Sequence, residues 1–309
     1  MPTYGRNVSG IKNKVKRKQV YAKLKKEKKK AKKERRDKRK REEEELGDKA
    51  PPRQVPRTLD NTRDPDETVV GPEDAEILED ERTDEFSDYF LRGKIPKIMV
   101  TTRPKPSTKL YDFVRELMTM IPNVAYYARR HYHIKEICKL AAEQEFTHLV
   151  VLSEKNKVCN GAIVSHLPHG PTAFFKVSRF VSGADIAGHG APTTHTPEIL
   201  LNNFNTRLGH RVGRFLGSLF PHKPDFKGRQ VVTFHNQRDF VFVRHHRYIF
   251  DKIDEKDGQP KRARLQELGP RFTLKLRWLQ VGTFDTKNGE YEWMHKRKKM
   301  DKTRRTFHL

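Results

Sequence analysis

Histidines are the residues of this chain best suited to proton transfer or metal ligation, and they recur at short spacings. His131 and His133, His166 and His169, and His235, His245 and His246 form the groups. Imidazoles sharing one side of a backbone segment can hold zinc when a cysteine or carboxylate completes the set. No such cluster joins these. TFHNQRDFVFVRHHRYIF reads as a long strand, on which His245 and His246 point to opposite faces. Ser165 and His166 lack the Gly-x-Ser-x-Gly turn that presents a serine nucleophile. Cys138 and Cys159 are too few for a zinc quartet or a disulfide framework and point to a reducing compartment. The expectation is a non-enzymatic protein with no cofactor, no metal site and no small-molecule substrate.

The second candidate chemistry is anion binding. HGPTAFFKVSR (169–179) and LGPRFTLKLRW (268–278) each carry Gly-Pro, four residues, lysine and an apolar residue, with Gly170 and Gly269 99 positions apart. A phosphate loop fits poorly, because Pro171 and Pro270 remove amide donors and no G-x-x-x-x-G-K-[ST] is present. Strand alternation fits well. After Pro270 one face carries Arg271, Thr273, Lys275 and Arg277, the other Phe272, Leu274, Leu276 and Trp278. After Pro171, Thr172, Phe174, Lys176 and Ser178 share a face, where Phe174 could stack on an unpaired base. Lys176 alone is accounted for as a charge that keeps a sheet edge soluble. Arg271, Lys275 and Arg277 together predict phosphate contact. TRLGHRVGRFLG adds Arg207, Arg211 and Arg214 as a helical stripe, beside Gly209, Gly213 and Gly217 on a face that a packed strand or an RNA backbone approaches closely. Arg238, Arg244, Arg247, Lys298, Arg304 and Arg305 complete the RNA-binding candidates.

Composition supports that chemistry. The 309 residues carry 65 Lys and Arg against 40 Asp and Glu, a formal net charge of +25. Self-repulsion on that scale calls for a polyanionic partner, with nucleic acid ahead of an anionic membrane. No signal-like or membrane-length apolar run occurs, so a soluble intracellular protein is expected.

The elements that must position these residues emerge from periodicity. Residues 1–46 form a basic arm, expected to be helical when bound, with 19 of the 30 residues from Lys12 to Arg41 basic. Residues 47–93 read as an acidic, largely disordered linker, in which EFSDYFLRG is placed to dock on the neighbouring domain. An α/β domain is expected over 94–285, as a first half (94–181), a connector (182–195) and a second half (196–285), ahead of a basic tail (286–309). Both halves run strand, helix, strand, apolar strand, Gly-Pro, strand. The second lacks a counterpart to the helix of His133–Phe146. This order predicts a duplication.

ILLNNFNTRLGHRVGRFLGSLFPHKPDFKGRQ, TFHNQRDFVFVRHHRYIF, LGPRFTLKLRWLQVGTFD and GEYEWMHKRKKMDKTRRTFHL resemble the Brix domain family of ribosome-assembly factors, over roughly two-thirds of the chain. The resemblance implies a duplicated two-lobed α/β domain, each half similar to the class II synthetase anticodon-binding fold, with extended basic N- and C-terminal segments. It implies a non-catalytic factor in the nucleolus that binds precursor rRNA during large (60S) subunit maturation. A companion pre-60S assembly factor and ribosomal proteins are the implied partners. The alternative is a protein-docking scaffold with RNA held by the basic arm alone.

Overall fold

A computed structural model describes residues 11–47, 55–58, 61–71, 74–250, 263–285, 288–303 and 305–309. The chain divides into two units, Met1–Asn61 and Thr62–Leu309. The first holds one helix of 33 residues, α1 (Lys14–Leu46), capped by the Asn13 side chain, which accepts from the amides of Val15 and Lys16. Lys30–Glu34, Lys38–Glu42 and Lys40–Glu44 pair one turn apart. Each such pair offsets only a few tenths of a kcal/mol of the like-charge repulsion along the helix.

The second unit opens with the short helices α2 (Ala75–Thr83) and α3 (Ser87–Leu91). Next come β1 (Ile98–Thr102), α4 (Thr108–Met120), β2 (Val124–Tyr126), α5 (Ile134–Glu143), β3 (His148–Lys155), β4 (Val158–His166) and β5 (Thr172–Val181). A 3-10 turn then leads to β6 (Glu198–Asn202), α6 (Arg207–Gly217), β7 (Gln230–Gln237), β8 (Phe240–Phe250), β9 (Ala263–Glu267), β10 (Arg271–Gln280), β11 (Tyr291–Met294) and α7 (Arg297–Met300). Among the described residues all eleven strands join one sheet, ordered β2-β1-β3-β4-β5-β10-β8-β7-β6, with β11 beside β10 and β9 beside β8. The strand pairs β1–β3 and β6–β7 are parallel, as a helical crossover requires. The helix read over His133–Phe146 is α5, the helical stripe of TRLGHRVGRFLG is α6, and the strands read after the two Gly-Pro pairs are β5 and β10.

One face of the sheet carries the main core. There α4 and α6 set Leu110, Phe113, Leu117, Val212, Phe215 and Leu216 against Val100, Leu152, Phe175, Val177, Val243 and Leu274. On the other face α5 covers Met99, Leu149 and Val151 with Ile137, Cys138 and Ala141. Burial on both sides explains why β3 is apolar without interruption. Over β10, β8 and β7 there is no counterpart of α5 among the described residues, and burial alternates along the first half of β8.

β5 and β10 pair antiparallel at the centre, Lys176 opposite Lys275. Gly170 packs on the backbone of Gly282, and Gly269 on that of Gly183. A Cβ on Gly170 would lie 2.6 Å from Gly282 Cα, and one on Gly269 2.3 Å from Gly183 Cα. Both glycines also hold positive φ (102° and 82°), so glycine is required twice over. Each Gly-Pro carbonyl accepts from a histidine: Gly170 from His166 Nδ1 and Gly269 from His245 Nδ1, both at 3.0 Å. These histidines serve the fold.

Three expectations change. The acidic segment is ordered in its C-terminal part: Phe86 and Tyr89 are fully buried in the main core, a gain of roughly 2 kcal/mol or more for each ring. The basic tail folds onto the domain. β11 pairs with β10, Phe307 and Leu309 are buried, and Asp239 Oδ1 accepts from the amides of His308 and Leu309 at 2.7 and 2.9 Å. Ordered structure in this unit therefore reaches beyond 94–285 at both ends. Finally, β9 is a strand that the sequence reading did not place, just ahead of the second Gly-Pro; residues 251–262 fall outside the described residues, as do 1–10, 48–54, 59–60, 72–73 and 286–287.

Candidate nucleic-acid interface

The predicted basic residues separate into two groups on opposite faces of the sheet. Arg207, Arg211 and Arg214 lie on α6, on the core side, and the acidic segment neutralises them. Arg207 pairs with Glu76. Arg211 takes Glu85 at 2.5 and 2.9 Å and Glu292 at 3.0 Å. Arg214 grips Asp84 bidentately at 2.6 and 2.7 Å, with both side chains nearly buried. His210, on the same helix, meets Glu81 at 3.0 Å. The guanidinium of Arg214 also lies 4.3 Å from the Phe90 ring centroid. Burial opposes charge on both Arg211 and Glu85, yet their hydrogen bonds win: the Arg211 pKa moves up and the Glu85 pKa down. The glycine face is filled by protein, with Gly209 against Leu309, Gly213 against Phe204 and Gly217 against Phe90 and Leu201. Each arginine of the stripe thus has a carboxylate partner from elsewhere in the chain, at a sequence distance that hides it from any local pattern.

The second group lies on the other face, beyond the part of it that α5 covers. Lys176 is exposed and sits on an interior strand between β4 and β10, which removes the reading of it as an edge charge. Lys275 faces it across the pair, with Nζ 3.5 Å from Asp301 and 4.9 Å from the Phe240 ring centroid. Arg244 lies on the same face of β8, donating to the carbonyls of Val243 and Phe272. Desolvation, with Arg271 nearby, lowers its pKa against the pull of Glu267. Arg271 is held by Glu267 with two contacts of 2.7 Å.

The clean alternation read for β10 breaks at its C-terminal end. Leu276 is opposite Phe175 and Trp278 opposite Phe174, so a bulge at Arg277 shifts the register. Two residues then oppose one, and the strand turns its next side chain over. Trp278 leaves the apolar side where it was expected and stands beside Phe174, ring centroids 5.7 Å apart, with Tyr291 at 5.8 Å on its other side. Arg277 itself meets His295 Nδ1 at 3.0 Å, and His295 Nε2 reaches Asp301 at 3.2 Å. Of the three residues expected to contact phosphate together, each has an intramolecular partner.

The remaining candidates are dispersed. Arg238 is exposed at the β7–β8 turn. Arg247 donates to the carbonyl of Ala191. Lys298 on α7 and Arg305 are exposed, and Arg304 lies outside the described residues. His245 is buried, which pushes its pKa down to about 4, while His246 faces the other way. Among the described residues no group of three or more His, Cys, Asp or Glu is placed to hold a metal, and no helix is long and apolar enough to cross a membrane. The open face therefore combines cationic side chains with aromatic rings, which suits binding of a polyanion that also presents flat apolar surfaces.

Comparison with known proteins bears on the family. The Brix domain matches residues 103–278. Ribosome production factor 1 of Mus musculus is 52% identical over 99% of this chain and 86% of its own length. The Saccharomyces cerevisiae protein of that name is 42% identical over 98% of this chain and 99% of its own. A crystal structure described as a probable ribosomal biogenesis protein from Aeropyrum pernix K1 aligns over 58% of this chain and 96% of its own, at 17% identity and a TM-score of 0.41. With a domain match across more than half its length and full-length relatives at this identity, the chain belongs to the Brix domain family and groups with the ribosome production factor 1 proteins.

Proposed function

We propose that this protein is a non-catalytic ribosome assembly factor that binds precursor rRNA during nucleolar maturation of the large ribosomal subunit. Family membership and the names of its relatives support the place in ribosome biogenesis. The observation that carries the RNA reading is the open sheet face, where Lys176 stands beside Lys275 and Arg244 among aromatic rings. Like charges directly opposite in a sheet are destabilising, and a phosphate between them removes that cost. The basic arm and the exposed Lys298 and Arg305 add sequence-independent attraction. The domain is read as two halves related by a local twofold. In support, Lys176 pairs with Lys275 and Gly170 and Gly269 make reciprocal contacts, all at a spacing of 99 residues. A companion assembly factor and ribosomal proteins are the expected protein partners.

The test is the salt dependence of binding to a precursor rRNA transcript. Replacing Lys176 and Lys275 by Ala is expected to lower the slope of log K against log salt by roughly 0.7 to 0.9 per lysine. Arg207→Ala, which removes a neutralised charge, is expected to leave the slope unchanged. If deleting residues 1–46 abolishes all affinity and the double lysine variant binds normally, the domain is a protein-docking module and the arm is the RNA contact.

A further inference from the structure

The open face carries more aromatic surface than phosphate binding needs. Phe174, Trp278 and Tyr291 form a row across β5, β10 and β11, with centroids 5.7 and 5.8 Å apart. Phe174 and Trp278 lie 35° from parallel and are half-exposed, and Tyr291 is exposed. Phe240 and Phe242 continue the aromatic surface on β8, under Lys275 and Arg244 respectively.

Two features place this row deliberately. The bulge at Arg277 turns the indole of Trp278 out of the core, where uninterrupted alternation would have buried it. Gly161 on β4 gives the Phe174 ring its seat: a Cβ there would lie 2.7 Å from Phe174 Cε2. Lys176 comes after Phe174 on the same face, two residues and about 7 Å along the strand.

A duplex offers this surface phosphates and groove edges, against which the rings gain little. An unpaired strand offers base faces, which stack on aromatic side chains while lysines neutralise the intervening phosphates. We propose that the open face holds an unpaired RNA segment, its bases stacked on Phe174 and Trp278, with Tyr291 standing edge-on to Trp278 at 88° beside them, and its phosphates on Lys176 and Lys275. This rests on the reading that the face binds RNA, and it names the RNA as single-stranded.

Trp278 and Trp293 are the two tryptophans of the chain, and Trp293 packs against the main core. In full-length Trp293→Phe protein, Trp278 is the sole indole and reports directly. A single-stranded oligouridylate is expected to quench its emission, while an RNA hairpin of matching charge does so weakly and binds less tightly. Trp278→Ala should weaken oligouridylate binding by tenfold or more, with affinity for the hairpin unchanged. Trp278→Phe should restore most of the loss, which separates stacking from a folding defect. If hairpin and single strand bind equally, Lys176→Ala weakens both and Trp278→Ala weakens neither, the face binds RNA but the unpaired-strand assignment is overturned. If neither RNA perturbs Trp278, and RNA is retained through residues 1–46, both readings fail and the face belongs to a protein partner.

Discussion

Helix α6 and the strand pair β5–β10 carry the same kind of residue on opposite faces of one sheet, and their surroundings differ. Arg207, Arg211 and Arg214 meet Glu76, Glu81, Asp84, Glu85 and Glu292, so the helix surface is neutralised from within the chain. Across the sheet, Lys176 and Lys275 oppose each other with Asp301 as their nearby carboxylate, on Lys275. Basic residues in a stripe therefore do not identify a polyanion site until their carboxylate partners are known. The arginines hold the segment 76–85 to the domain; the lysines are left with charge to spare.

The contrast is sharpest at Arg214. Removing one member of a nearly buried, bidentate pair strands the other charge, so Arg214→Ala should destabilise the domain by about 3–5 kcal/mol in urea unfolding. Its RNA affinity, measured where the variant is folded, should not change. An RNA defect there would merge the two surfaces and break the comparison.

The buried histidines come next. Burial lowers the pKa of His245 to about 4, and burial likewise lowers those of His148 and His166. A histidine whose folded pKa lies below its unfolded value of about 6.5 contributes its full stability above pH 6.5. That contribution is lost as pH falls toward the folded pKa. For His245 alone the loss by pH 4 is roughly 3 kcal/mol. His245→Asn should flatten the pH dependence of the thermal midpoint between pH 6.5 and 4. RNA affinity corrected for the folded fraction should not track that titration.

On the open face, Lys176→Ala should cost several-fold in RNA affinity at low salt and leave the urea midpoint nearly unchanged, since the side chain is exposed. The smallest effect belongs to Arg207→Ala. Its pair with Glu76 is solvent-exposed, and neither the urea midpoint nor RNA affinity should move measurably.

Much of this arrangement was legible in the residues alone. Periodicity placed α5, α6, β8 and the two strands that follow Gly-Pro, β5 and β10. The missing counterpart of α5 in the second half also had a structural meaning: among the described residues no such helix covers β10, β8 and β7 on that face. Other features left too faint a trace. A bulge has no residue signature in RFTLKLRW, so the turn of Trp278 toward Phe174 was invisible. The partners of Arg211 lie 126 residues before it and 81 after it, beyond any local pattern. Phe86 and Tyr89 belong to EFSDYFLRG, read as docking on the neighbouring domain within a segment whose acidity otherwise suggested disorder, and Phe307 and Leu309 are two apolar residues after a basic run. In both places a few buried side chains anchor a segment whose average composition pointed to solvent.

The central pairing of β5 with β10 also sets an order of assembly. Lys176 and Lys275 meet only after about a hundred residues of intervening chain have closed, a slow, long-range event compared with forming α4 or the β3–β4 hairpin. During synthesis, β1 to β5 can pair while β5 still presents an open edge, and that edge stays open until β10 leaves the ribosome. The basic arm lies ahead of both strands in the chain, so a nascent chain carries that charge well before the β5–β10 face exists.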